Sequence, residues 1–147
     1  VNLKVRQNQH LQRKLTPDFV IDWLYKKVQK QINKVNEIGK SFNYFTPFES
    51  IFEKAEKAKQ VISLGTQFGE GWLISGEILS FASQGVNHVI SLQPFGCIAN
   101  HIVEKGIEKR IKSLCPQMNI LSLDFDSSVS DVNITNRLLL FIDNINN

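Results

Sequence analysis

Two short apolar runs, Val89 to Leu92 and Ile120 to Phe125, flank a helix-length segment from Ile98 to Leu114, and this spacing restricts the fold more than any other feature. Each run is followed by turn residues and then by a helical pattern, so from Asn87 the order is strand, turn, helix, strand, turn, helix. A crossover of that length makes the two strands parallel and their connection right-handed. Their C-terminal ends then share one edge, where open α/β sheets place ligands. In the first helix Ile98, Ile102, Ile107, Ile111 and Leu114 are expected inward and Lys105, Glu108, Lys109, Arg110 and Lys112 outward, with Cys115-Pro116 as its end. The last helix, Asp131 to about Ile145, is expected to turn Leu138, Leu139, Phe141, Ile142 and Ile145 to the core.

Residues 1–70 read as mainly helical and residues 71–147 as the α/β part of a single domain. Thr16 and Pro17 give an N-cap and a first helical position for a helix to about Ile38. Val20, Leu24, Val28, Ile32, Val35 and Ile38 form its apolar stripe, and Lys26, Lys27, Lys30 and Lys34 its solvated face. That lysine run suits either an anionic partner or plain solvation. A second helix is expected from about Pro47 to Val61, and a third from Trp72 to Gln84, capped by Gly85. Between them Gly65, Gly69 and Gly71 forbid a regular element and permit close backbone approach, either for a tight turn or to cradle an anion. The spacing is neither a dinucleotide-binding nor a P-loop fingerprint. Two strands make a small sheet. Either Val1 to Arg6 and Val61 to Leu64 add strands, or the missing strands lie in a longer parent chain.

The net charge of +3 is small and spread along Lys-rich helices that also carry acids, which argues against a nucleic-acid partner. No apolar run reaches membrane-spanning length, and two cysteines make no disulfide framework. The expectation is a cytoplasmic protein with reduced thiols. The start at Val1 without a signal-peptide pattern suits a piece of something longer.

Cys97 falls where the Gln93 to Gly96 turn meets the helix, facing the unpaired N–H groups of its first turn and the positive end of the helix dipole. That is a setting for a ligand or a nucleophile. The plain alternative is a half-buried cysteine filling a gap beside Phe95. His101, one turn on, could serve as a base to a nucleophilic Cys97 or could simply pack. On the parallel reading Asn100, Asn136 and Arg137 rim one hollow with Cys97 and the Asp124 to Asp131 segment. Their donors suit an anionic cluster or a carbonyl, and Arg137 would equally serve to pin the last helix to Asp124 or Asp131.

Ser63-Leu64-Gly65-Thr66-Gln67-Phe68-Gly69-Glu70-Gly71-Trp72-Leu73, then Leu92-Gln93-Pro94-Phe95-Gly96-Cys97-Ile98-Ala99-Asn100-His101, then Asn119-Ile120 to Asp124 with Ser130-Asp131-Val132-Asn133 and Asn136-Arg137 follow in one collinear order. Together they resemble the C-terminal part of the large CoA-substrate-specific enzyme activases. These are fused relatives of the activator and dehydratase of the 2-hydroxyacyl-CoA (2-hydroxyglutaryl-CoA) dehydratase system, a group that includes double-cubane iron–sulfur proteins. The resemblance spans about Phe48 to Ile142, and its specific segment is Gln-Pro-Phe-Gly-Cys. After the second strand this chain departs from the family pattern of an acid, Pro-Gly and Ser-Glu-Val, reading Asp126-Ser127-Ser128-Val129-Ser130-Asp131-Val132.

The resemblance implies an α/β fold, a helical N-terminal half followed by a Rossmann-like or flavodoxin-like βαβα unit with a short parallel sheet. It implies iron–sulfur ligation by Cys97, with Gln93, Asn100, Asp124, Asn136 and Arg137 as cofactor-binding residues. It implies an ATP-hydrolysing domain upstream in the same chain, electron transfer toward a dehydratase-type acceptor, and a homo-oligomer. The ligand count limits this piece. A cubane cluster takes about four ligands, and Cys97 and Cys115 stand eighteen positions apart, roughly 27 Å along a helix. No cluster is expected on these residues alone, and Cys115 is expected to be core filler. The competing readings are a Cys97-dependent enzyme and an interaction module without chemistry.

Overall fold

The computed structural model describes residues 18–67, 69–94, 96–125 and 130–146. The Thr16-Pro17 helix start, the Val1 to Arg6 strand, Phe95, and positions 126–129 of the second turn lie outside the described residues. The chain divides into two compact units with a boundary between Glu53 and Lys54.

The first unit holds helix α1, Asp18–Gly39, and the start of α2, Ile51–Ala58. A Cβ at Gly39 would enter the ring of Phe45, so the helix ends where an aromatic side chain lies flat on its backbone. Helix α2 begins four residues later than Thr46-Pro47 suggests. Its start is a capping box: Phe52 N–H donates to Ser50 Oγ (3.3 Å) and Ser50 N–H donates to Glu53 Oε2 (3.1 Å). Tyr25 meets Phe52 edge to face at 5.1 Å between ring centroids.

The second unit has helix α3, Trp72–Ser83, strand β1, His88–Pro94, a π-wound segment Ala99–Glu104 continuing into α4, Lys105–Leu114, strand β2, Asn119–Phe125, and α5, Asp131–Asn146. β1 and β2 are parallel, in register from His88↔Asn119 to Pro94↔Phe125, as the crossover length requires. The fold is thus mixed α/β, helical at first and then βαβα with a two-stranded parallel sheet among the described residues. Val61 to Leu64 forms turns instead of a strand, because Val61 and Ile62 N–H groups bond back to Ala58 O. Gln93 and Pro94 extend β1 beyond the expected turn boundary.

The core is Ile78, Val103, Ile107, Ile111 and Met118, with Val89, Ile120 and Cys115 packed against it. Ile107 and Ile111 face inward as expected, but Ile98 and Ile102 are 56% and 66% exposed, and the buried positions of that turn are Ala99, Val103 and Glu104. A buried carboxyl group with partners on the sheet fixes the rotation of this segment and turns the two isoleucines outward. In α5 only Phe141 is fully buried; Leu139, Ile142 and Ile145 are exposed. Strand alternation places the two helical layers on opposite faces of the sheet. Ser91 and Gln93 face Glu104, whereas His88 meets Phe141 of α5 edge to face.

Candidate functional site

Ser91 and Gln93, two positions apart on β1, project from one sheet face, and Ser122 stands beside Ser91 in the register. All three point at Glu104, which is 2% exposed. Ser91 Oγ (2.5 Å) and Gln93 Nε2 (2.9 Å) donate to Glu104 Oε2, and Ser122 Oγ donates to Oε1 (2.7 Å). Asn100, on the π-wound segment, adds a fourth donor through Nδ2 to Oε2 at 3.2 Å. A carboxyl group out of water is tolerable only when its oxygens are hydrogen-bonded, and here both are. Gln93 is fully buried, and its Oε1 has no partner among the described residues.

From this cluster a chain of bonds leads to Cys97. The Cys97 S–H donates to Asn100 Oδ1 at 2.9 Å. Cys97 stands immediately before the helical segment, where sequence reasoning puts it; its N–H bonds to Pro94 O and its carbonyl accepts the His101 N–H at 3.0 Å. The His101 ring turns to that same carbonyl, with Nδ1 at 2.9 Å from Cys97 O, and not to the thiol. His101 Nε2 lies 3.4 Å from Asp124 Oδ1, an oxygen with no hydrogen-bond partner among the described residues. His101 therefore ties the turn after β1 to the C-terminal end of β2, the two strand ends that the parallel reading brings together. Winding of the π type recurs at functional sites because it sets side chains at angles that a regular helix does not offer.

The remaining expected site residues, Asn136 and Arg137, lie on α5. Arg137 Nη2 donates to the Ser122 carbonyl at 2.6 Å, so its partner is the β2 backbone and neither Asp124 nor Asp131, and its work is to hold α5 on the sheet. Asn136 is exposed on α5. Among the described residues no three His, Cys, Asp or Glu side chains come together as a metal-binding group. In the Gly-rich loop, Trp72 N–H donates to Thr66 O and Leu73 N–H to Glu70 O, both at 3.0 Å. The first two N–H groups of α3 are taken up within the turn, which favours the tight-turn reading over an anion cradle. Sequence reasoning missed Glu104. The available signal was a pair of polar residues, Ser91 and Gln93, on the alternating face of a buried strand, which require a polar partner from the following helix.

Cys115 packs against the core at the end of α4, and its N–H bonds to Ile111 O at 2.8 Å. Cys97, ahead of its helix and hydrogen-bonded to one side chain, should be alkylated first. Limited labelling followed by mass spectrometry is expected to find Cys97 modified several times faster; equal rates would contradict this placement of the two thiols. Compared with protein-family models, curated proteins and solved structures, the chain matches none.

Proposed function

We propose that this chain is the C-terminal part of an activase-like protein of the 2-hydroxyacyl-CoA dehydratase activator group. In whole form such a protein couples ATP hydrolysis, in a domain upstream, to low-potential electron transfer through iron–sulfur clusters toward a dehydratase-type acceptor. The observation that carries the reading is the position of Cys97. It closes the turn after β1, with its N–H on Pro94 O, at the sheet end where His101 reaches Asp124, in the segment with the most specific resemblance. A cytoplasmic homo-oligomer belongs to the same reading.

The residues present do not by themselves fit a cubane cluster. About four ligands are needed, and of the two cysteines in the sequence Cys115 sits beyond the far end of α4. Cys97 is suited to be one ligand, with the others supplied by polypeptide outside these 147 residues. Asn100 would orient the thiol, and His101 with Asp124 would hold the turn that carries it. Anaerobic reconstitution of the 147-residue chain with iron and sulfide tests the ligand count. The expected result is no stoichiometric iron and no charge-transfer absorption; a stoichiometric cluster on the monomer overturns it. For the parent protein, iron content should fall on Cys97→Ser, and an unchanged value would remove Cys97 from the ligand set.

One observation favours a second reading, an interaction module without chemistry. Ile90 and Leu92 of β1 are 44% and 61% exposed on the sheet face opposite Glu104. In that case Cys97→Ser leaves the parent protein's iron and activity unaltered.

A further inference from the structure

We propose that Glu104 is a positioning residue for Cys97, acting through the side chain of Asn100. A primary amide can turn either its oxygen or its NH2 group toward a neighbour, and the surrounding hydrogen bonds decide which. Four donors converge on the Glu104 carboxyl group, which leaves it an acceptor on both oxygens. The NH2 of Asn100 is drawn to Glu104 Oε2 at 3.2 Å and lies 3.5 Å from Ser91 Oγ. Its oxygen is thereby left facing Cys97 Sγ at 2.9 Å. The reverse orientation would set Asn100 Oδ1 against a carboxyl oxygen that already takes Ser91 and Gln93, an acceptor facing an acceptor.

The direction of the thiol is therefore set by the sheet. Ser91, Gln93 and Ser122 fix Glu104, Glu104 fixes the Asn100 amide, and the amide oxygen gives the Cys97 S–H its acceptor. Asn100 and Glu104, four positions apart, share one side of the π-wound turn, with Ala99 and Val103 buried beside them. This inference concerns the free thiol and stands whether or not Cys97 ligates a cluster.

The S–H stretching band reports the relay directly. Recorded by infrared spectroscopy on the 147-residue chain carrying Cys115→Ser, the Cys97 band should lie at the lower wavenumber of a hydrogen-bonded thiol. Asn100→Leu should return it to the free-thiol position. Glu104→Gln, which offers a donor as well as an acceptor, should release the amide and shift or split the band. Ser113→Ala, which removes an exposed hydroxyl that donates to Arg110 O at the end of α4, should not move it. A folded Glu104→Gln protein with an unshifted band overturns the proposal. Should that variant fail to fold, proton NMR of the unaltered chain decides. Contacts from the Asn100 NH2 protons to Ser91 and Gln93 support the orientation, and contacts to the Cys97 β-protons overturn it.

Discussion

Replacing Glu104 by alanine is expected to destabilise the Lys54–Asn147 unit by about 3 to 5 kcal/mol, because a buried donor left without its acceptor costs roughly 1–3 kcal/mol and four lose theirs together. The sum is smaller than four separate penalties. The hydroxyls of Ser91 and Ser122 can rotate toward backbone carbonyls, whereas the amides of Gln93 and Asn100 have less freedom. Urea unfolding measures the effect as a fall in midpoint at unchanged slope, which separates lost stability from a change in the denatured state. Against a typical domain stability of about 5–15 kcal/mol, such a loss leaves little in reserve. Glu104→Gln keeps one acceptor oxygen and should cost clearly less. An alanine variant within about 1 kcal/mol of the native chain would mean that the four contacts are replaced by other partners on loss of the carboxylate.

The parts of the fold that depend on periodicity were legible. A strand of four to seven residues, a helix and another strand of similar length determine parallel pairing almost regardless of which apolar residues fill them, and β1, α4 and β2 fall where the spacing puts them. Cys97 was legible for the same reason, since the expected Gln93 to Gly96 turn fixes where the helix can begin. What periodicity could not reveal was the rotation of the segment after Cys97. Counting apolar residues makes Ile98 and Ile102 the inward pair, and the structure reverses this because Glu104 has three partners on the sheet. An apolar stripe contributes a graded free energy per residue, while a buried carboxyl group must have all its partners or none. The single polar requirement therefore outweighs two isoleucines that stay in water. The start of α2 differs for a local reason: Thr46-Pro47 is one acceptable helix signal, but Ser50 and Glu53 satisfy two backbone N–H groups reciprocally and fix the boundary four residues later.

The exposed apolar side chains follow from the same topology. Leu123 is 2% exposed and lies in register with Leu92, so one member of the pair is covered and the other is 61% exposed. Among the described residues β1 pairs only with β2, and a free edge is where a small sheet is least protected. The site at the strand ends is nonetheless braced from three sides: by Arg137 on the β2 backbone, by His101 across the strand ends, and by the Gly-rich loop against Ala99.

The loop contact leads to the second large expected effect. Gly71 has φ 51° and ψ −121°, a conformation open to glycine and strained for any residue with a Cβ, and an added Cβ would fall well inside contact distance of the Thr66 carbonyl oxygen. That oxygen is also the acceptor for Trp72 N–H at 3.0 Å, so the turn cannot open without losing the bond that starts α3. Gly71→Ala should therefore cost about 2 to 4 kcal/mol, from an unfavourable backbone region together with an overlap against backbone atoms that cannot rotate away. Gly106→Ala provides the opposite case. Gly106 lies inside α4 at ordinary helical φ with nothing within 4 Å of an added Cβ. There the change should stabilise by about 0.5–1 kcal/mol, because alanine gives up less backbone freedom in a helix. Measured side by side in urea, the two glycine substitutions should move the midpoint in opposite directions. Because Gly69 of the same loop packs on Ala99, next but one to Cys97, the Gly71 variant should also change the Cys97 alkylation rate while that of Cys115 stays as it was. A Gly71 variant that unfolds like the native chain would show that the loop has room to rearrange, and its contact with Ala99 would then brace nothing.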